Sequence, residues 1–110
     1  MPSPVRLTHQ SLRILRVFLD TMSGNIHAEL AGTDVMTATH FLSGTVYPIL
    51  LRFEDAGILE SRWEKESPAA LGRPRRRFYR LTPAGIKTAQ KALDDLSSPV
   101  KRLRPAHRPA

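Results

Sequence analysis

The sequence predicts a mainly α-helical domain carrying one β-hairpin, and three observations carry that prediction. Apolar residues recur at helical spacing in stretches before Gly57, alternate with polar ones over residues 58–66 and again over 75–81, and return to helical spacing after Thr82. The breaks fall on turn and capping residues: Ser23-Gly24-Asn25, Gly57 and Thr82-Pro83. A chain of 110 residues, 41% apolar and 25% charged, builds one modest core and not two. Three helices, a two-stranded hairpin and a closing helix make a winged helix-turn-helix.

Each element has its own signal. Residues 1–7 read as a flexible arm, and residues 8–97 as the folded domain. Thr8 is the expected N-cap of a helix from His9 to about Met22. Leu12, Leu15, Leu19 and Met22 form one face, Phe18 extends it, and Ile14 and Val17 carry it past half the circumference. That breadth exceeds what a lone three-helix domain covers, which suggests a second subunit. Ile26 to Ala31 reads as a short helix with Ile26 and Leu30 inward, and Gly32-Thr33-Asp34 as a turn. Residues 35–42 carry no decisive pattern.

The clearest helix opens at Ser43-Gly44-Thr45 and runs to about Ala56, with Val46, Ile49, Leu50, Phe53 and Ala56 on one side. Pro48 is read as lying in or near the first turn, where a missing N–H costs least. Residues 58–66 form a half-buried strand with Leu59 and Trp63 on one face. Residues 67–74 form a loop, and residues 75–81 a returning strand with Tyr79 and Leu81 inward and Arg76, Phe78 and Arg80 outward. Thr82 caps a last helix that starts at Pro83 and ends near Ser97. Its stripe of Ile86, Ala89, Leu93 and Leu96 is narrow, like a helix-pairing seam. Residues 98–110 read as a disordered basic tail.

Charge points to the partner. The net charge is +7, from 17 basic and 10 acidic residues. Residues 73–80 hold five arginines, and the tail from Ser97 onward holds four more basic residues. Neither segment has an acid, so the rest of the chain carries 8 basic against 10 acidic residues, a net of −2. A near-neutral body with two cationic appendages suits a polyanion: phosphate backbone, acidic protein or anionic lipid.

The stretch "LSGTVYPILLRFEDAGILESRWEKE", followed by "GRPRRRFYRLTPAG", resembles the PadR family of bacterial transcriptional regulators. The resemblance runs from about His9 to Leu96, and its more specific half is Ser43 to Pro48 with Leu50, Phe53-Glu54 and Gly57-Ile58-Leu59. It implies a homodimer that binds double-stranded DNA at an inverted repeat, usually as a repressor, with the last helix pairing the subunits. Some members sense phenolic or drug-like molecules, so a small aromatic ligand is a further candidate partner, and Trp63 a candidate to line its cavity. The position of Leu51 is commonly polar or basic in the family. Leucine there leaves two alternatives, contact with a thymine methyl or no base contact. The short last helix resembles compact members without a separate effector domain.

The expected DNA-binding residues follow. Ser43, Gly44, Thr45, Tyr47, Pro48, Leu51 and Arg52 lie on the outer side of the recognition helix. Their hydroxyls and the first-turn N–H groups suit phosphate. Ser43 or Thr45 is alternatively a cap, and Tyr47 alternatively packs on the wing. Arg52 suits phosphate or guanine, or pairs with Glu54 or Asp55. Arg73, Arg75, Arg76 and Arg77 belong to the wing, where Gly72-Arg73-Pro74-Arg75 resembles the core of the AT-hook, a minor-groove peptide. Trp63 and Tyr79 are expected to pack across the hairpin. Ile14, Val17, Ile86, Ala89, Leu93 and Leu96 are the expected dimerisation residues.

Other chemistry finds no support. The four histidines have no metal spacing, and His27-Ala28-Glu29 lacks the cysteines of a zinc deaminase. There is no cysteine, P-loop, G-x-S-x-G or dinucleotide fingerprint. No cofactor, metal or enzymatic activity is expected. The N-terminus lacks an apolar signal region and no apolar run is long enough to span a bilayer, so the expected location is the cytoplasm, with no membrane partner.

Overall fold

A computed structural model describes residues 7–97; all of the expected arm except Leu7, and the expected tail, lie outside the described residues. Helix α1 (His9–Gly24) starts where the Thr8 hydroxyl accepts the N–H of Ser11 at 3.1 Å. Such a cap contributes about 1 kcal/mol. A two-residue strand, β1 (Leu30–Ala31), leads into α2 (Gly32–Thr39). Helix α3 (Ser43–Asp55) precedes β2 (Leu59–Trp63), a single helical turn α4 (Pro68–Leu71), β3 (Arg77–Leu81) and α5 (Pro83–Ser97). No described helix is long and apolar enough to cross a membrane. Among the described residues, no three His, Cys, Asp or Glu are grouped to hold a metal.

Two local expectations are corrected here. Residues 26–31 are not a helix: Ile26 is 66% exposed, and Leu30-Ala31 pair with Tyr79 and Phe78 as an edge strand. The sheet therefore has three antiparallel strands in the order β1-β3-β2, not two. Gly32-Thr33-Asp34 is the first turn of α2, not a loop. The Asp34 carboxylate accepts the Ala31 N–H at 2.8 Å, which holds the chain entry to the helix.

The core is shared by every layer. Ile14, Leu15 and Phe18 of α1, Val35 of α2, and Val46, Ile49, Leu50 and Phe53 of α3 are buried together with Leu59, Tyr79, Leu81 and Ala89. Helix α3 ends in a Schellman motif. Gly57 takes φ +77°, the Ile58 N–H donates to Phe53 O at 2.8 Å, and the Gly57 N–H donates to Glu54 O at 3.0 Å. This sharp stop turns the chain straight into β2.

The start of α5 is pinned to the same turn. The Thr82 N–H donates to Ile58 O at 3.0 Å, and its hydroxyl donates to Gly57 O at 2.6 Å and accepts the Gly85 N–H at 2.9 Å. Gly85 sits so close that a Cβ would lie 2.0 Å from Ile58 O. Helix α5 thus lies against α1, covering its Ile14–Phe18 face from within one protomer.

Candidate nucleic-acid interface

The helix-turn-helix consists of α2 and α3, joined through His40, which takes the left-handed conformation at φ 64°. The Thr39 hydroxyl stabilises the bend, donating to Val35 O at 2.8 Å and accepting the Phe41 N–H at 3.1 Å. Helix α3 then begins with no capping side chain. Its N-cap is Leu42, whose carbonyl takes the N–H groups of Thr45 and Val46. Neither Ser43 nor Thr45 serves as the cap, and with the Thr45 N–H taken by Leu42 it is the N–H groups of Ser43 and Gly44 that keep their capacity for an oxyanion.

Pro48 is the sixth residue of α3, one turn deeper than the sequence reading placed it. A proline here removes the donor to the Gly44 carbonyl, and the exposure of Gly44 leaves that carbonyl to water. Tyr47 lies across the start of α2. A Cβ on Gly32 would come within 2.5 Å of its ring and hydroxyl, so the ring occupies space that only glycine at 32 leaves open. Leu51, one turn further, is 55% exposed. Arg52 is exposed and forms no ion pair among the described residues.

The wing meets this surface. A groove of about 410 Å³ is lined by Gly32 of α2, Tyr47 and Leu51 of α3, and Arg75, Arg76 and Arg77 of the wing. Trp63 also lines it and is 56% exposed. The fold therefore gathers onto one face residues some thirty positions apart in the chain.

The wing arginines divide into two kinds. Arg73 turns back into its own loop, where its two terminal nitrogens donate to Glu64 at 2.6 and 2.9 Å. The Glu64 carboxylate also accepts the Arg76 N–H at 2.8 Å. The Arg73 guanidinium, with the Arg76 N–H, holds the Glu64 carboxyl well below its ordinary range, at about 2. Arg77 donates to Glu54 at 3.1 Å and to the Ser61 hydroxyl at 2.9 Å, tying α3 to the sheet. Its guanidinium also lies 5.4 Å from the Trp63 ring centroid and 5.9 Å from that of Tyr79. Arg80 pairs with Glu60 at 2.7 Å.

Arg75 and Arg76 differ. Both are exposed; Arg75 gives its Nε to the Glu66 carbonyl at 2.8 Å and has no acid partner among the described residues, and Arg76 has no side-chain partner among them. An arginine-rich segment that looks uniform thus holds paired structural cations beside cations left to solvent. Pairing also separates Trp63 from Tyr79. Register sets Trp63 opposite Arg77 and Tyr79 opposite Ser61, so the two rings meet through a guanidinium rather than ring to ring.

The residues expected to join two subunits do not all reach the surface. Ile14 and Ala89 have no exposed area, because α5 packs on α1 within the protomer and buries both. Ile86 is half-buried against the same core. Val17, Leu93 and the 55% exposed Leu96 instead line an open groove of about 420 Å³ between α1 and α5, together with Leu12 and the Arg16–Asp20 pair.

Sequence reasoning missed two contributors to the α3 face. Gly32 was hidden by reading its segment as a turn, although Asp34 three residues after Ala31 is a helix-start signal. Trp63 was expected to be covered, and its position at the strand end leaves it open.

Comparison with known proteins places the fold in a family. The model of the transcriptional regulator PadR-like family matches residues 25–91. Among solved structures, smu.1704 from Streptococcus mutans is 27% identical with a TM-score of 0.62, covering 94% of this chain and 88% of that one. A PadR-like transcriptional regulator from Bacillus cereus is 19% identical with a TM-score of 0.61, covering 91% of this chain and 92% of that one. A PadR family transcription regulator from Clostridium difficile is 20% identical with a TM-score of 0.61, over 84% of this chain and 94% of that one. No curated protein matches the chain. The matched segment runs through the helix-turn-helix, the wing and most of α5, and the chain belongs to the PadR-like family of transcriptional regulators, winged-helix DNA-binding proteins that are not enzymes.

Proposed function

We propose that the protein is a homodimeric cytoplasmic repressor that binds an inverted-repeat operator, with α3 in the major groove and the wing on the flanking backbone or minor groove. The observation that carries this reading is the single groove shared by α3 and the wing, with Tyr47 and Leu51 on one wall and Arg75 and Arg76 on the other. A helix start without a capping side chain and unpaired guanidinium groups both suit phosphate. Val17, Leu93 and Leu96, on the groove between α1 and α5, are the surface for the second copy.

Charge pairing makes the reading quantitative. Arg52, Arg75 and Arg76 are the three site arginines without an acid partner among the described residues, so a dimer brings six. Six phosphate contacts give a slope of about −5 in log affinity against log salt. The test is selection of bound sequences from a random pool, footprinting of the winner, and a salt titration. A palindromic footprint with half-sites about one helical turn apart and a slope near −5 is expected. An unsymmetrical footprint or a flat salt response overturns it.

A second reading, a winged helix serving as a protein-interaction or small-molecule-responsive adaptor, draws on the exposed Leu51 and Trp63. Failure of the pure protein to be retained on genomic DNA at low salt favours it.

A further inference from the structure

The exposed surface of α3 is poor in groups that read bases by hydrogen bonding. Its exposed residues are Ser43, Gly44, Tyr47, Pro48, Leu51, Arg52 and Asp55. Among them only Arg52 can make a bidentate contact to guanine. Ser43 and Tyr47 offer one hydroxyl each. Asp55 closes the helix beside its C-terminus, remote from the end that approaches the groove. Leu51 stands between these groups, 55% exposed, one turn beyond Tyr47 and on the same i, i+4 row.

Leu51 has no role in the fold that accounts for its exposure. It lies outside the buried core and outside the partly buried residues packed on it. Its apolar surface instead lines the groove that Arg75 and Arg76 also line, and these two cations draw the phosphate backbone to that wall. A side chain held there brings neither donor nor acceptor to whatever fills the groove.

We infer that Leu51 is a specificity-determining residue that selects thymine by its C5-methyl group. The inference rests on the reading of the α3 face as the DNA-binding surface. Its chemistry has an attractive and a repulsive part. In the major groove, thymine alone among the four bases presents a methyl group, and burying that methyl against leucine removes apolar surface from water from both partners. Guanine O6 and N7, adenine N6 and cytosine N4 would each lose water beneath an isobutyl group and gain no partner. Leu51 therefore rejects the other bases as well as attracting thymine. Arg52, its neighbour in sequence, supplies the one strong polar contact to a guanine or a phosphate.

The experiment starts from the operator selected by the full chain. Each thymine is replaced singly by deoxyuridine, which removes the methyl and keeps the hydrogen-bonding edge, and affinity is measured for the native chain and for Leu51→Ala. One thymine in each half-site is expected to respond, with about a fourfold loss per methyl removed. In Leu51→Ala that same replacement is expected to cost less than twofold. Placing 5-methylcytosine at the position should recover part of what cytosine loses. Because Leu51 is exposed, Leu51→Ala keeps the thermal midpoint of the native chain. A second variant, Leu51→Gln, moves the preference at that position from thymine to adenine.

Tight operator binding in which every deoxyuridine is neutral overturns the inference and leaves DNA binding standing. So does methyl sensitivity that persists undiminished in Leu51→Ala. Recovery of no DNA from the pool overturns the DNA-binding reading of the face and this inference together.

Discussion

Glu64 reaches across the mouth of the wing and takes both terminal nitrogens of Arg73, at 2.6 and 2.9 Å, so that the most tip-like arginine of the loop points back into its own hairpin. The same carboxylate holds the Arg76 N–H at 2.8 Å. One acid therefore orders the loop on both sides of Pro74.

This clamp has a defined pH dependence. The folded Glu64 carboxyl is lowered to about 2, from an ordinary value of 4.5. A lowered acid stabilises its structure fully above the ordinary value and loses that contribution as pH falls through 4.5 toward 2. The protection factor of the Arg76 amide, its intrinsic exchange rate divided by the observed one, is expected to be constant near pH 6 and to fall progressively below pH 4.5. Protection that is flat down to pH 3 in the native chain, or unchanged in Glu64→Gln at pH 6, contradicts the clamp.

Releasing the clamp also changes DNA binding. Glu64→Gln removes one negative charge and frees Arg73 to meet phosphate. The slope of log affinity against log salt should steepen by about 0.9 per protomer. By contrast Arg76→Ala should flatten it by a similar amount, and Arg80→Ala, which removes a cation already paired with Glu60, should leave it unchanged. Equal effects of Arg76→Ala and Arg80→Ala would show that internal pairing does not decide which arginines act.

Gly32 and Tyr47 form a second testable couple. A Cβ at position 32 would press into the Tyr47 ring at 2.5 Å, and the half-exposed ring can swing away. Gly32→Ala is therefore expected to lower stability by less than ~1 kcal/mol, since only an exposed side chain moves. It should nevertheless weaken operator binding at least as much as Tyr47→Phe, which deletes the hydroxyl alone. Chemical denaturation and operator titration of the two variants provide the check, and a Gly32→Ala chain that binds like the native one removes Tyr47 from the interface.

Gly85 predicts the opposite pattern. Here a Cβ would meet the Ile58 carbonyl at 2.0 Å, and a backbone oxygen in a hydrogen-bonded turn cannot swing aside. Gly85→Ala should cost about 1–3 kcal/mol, the range of overpacking. A denaturation midpoint equal to that of the native chain would show that the α5 start is looser than its contacts with Gly57 and Ile58 imply.

For the dimer, the informative positions are those with surface to spare. Leu96→Asp alters an exposed residue at the α1–α5 groove, so the monomer should keep its fold. Sedimentation should show dissociation, and operator affinity should fall as the two half-sites uncouple. Leu96→Asp that remains dimeric moves the interface elsewhere.

Local physics made much of this molecule legible in advance. Ser43 through Gly57 carries a helix period and a left-handed stop within fifteen residues, and both are satisfied by neighbours in the chain. The alternation of Tyr79 and Leu81 with Phe78 and Arg80 is likewise a local pattern, and the sheet buries the expected side. β1 was not legible. Two residues have no period, and Leu30-Ala31 become a strand only because the free edge of β3 lies beside them.

The same division runs through the site. The sequence alone determined the class of fold, the position and outer face of α3, the concentration of cations in the wing, and the resemblance to a family that the comparisons confirmed. Only the tertiary structure decided that Ile14 and Ala89 face inward, that Arg73 and Arg77 are held by Glu64 and Glu54, and that Arg75 and Arg76 stand clear. The physical reason is range. Helix period, capping and turn chemistry act within about four residues, whereas Arg77 meets Glu54 across 23 positions and Arg62 meets Glu29 across 33. Which charges cancel is set by strand register and helix docking, and those exist only once the chain has folded.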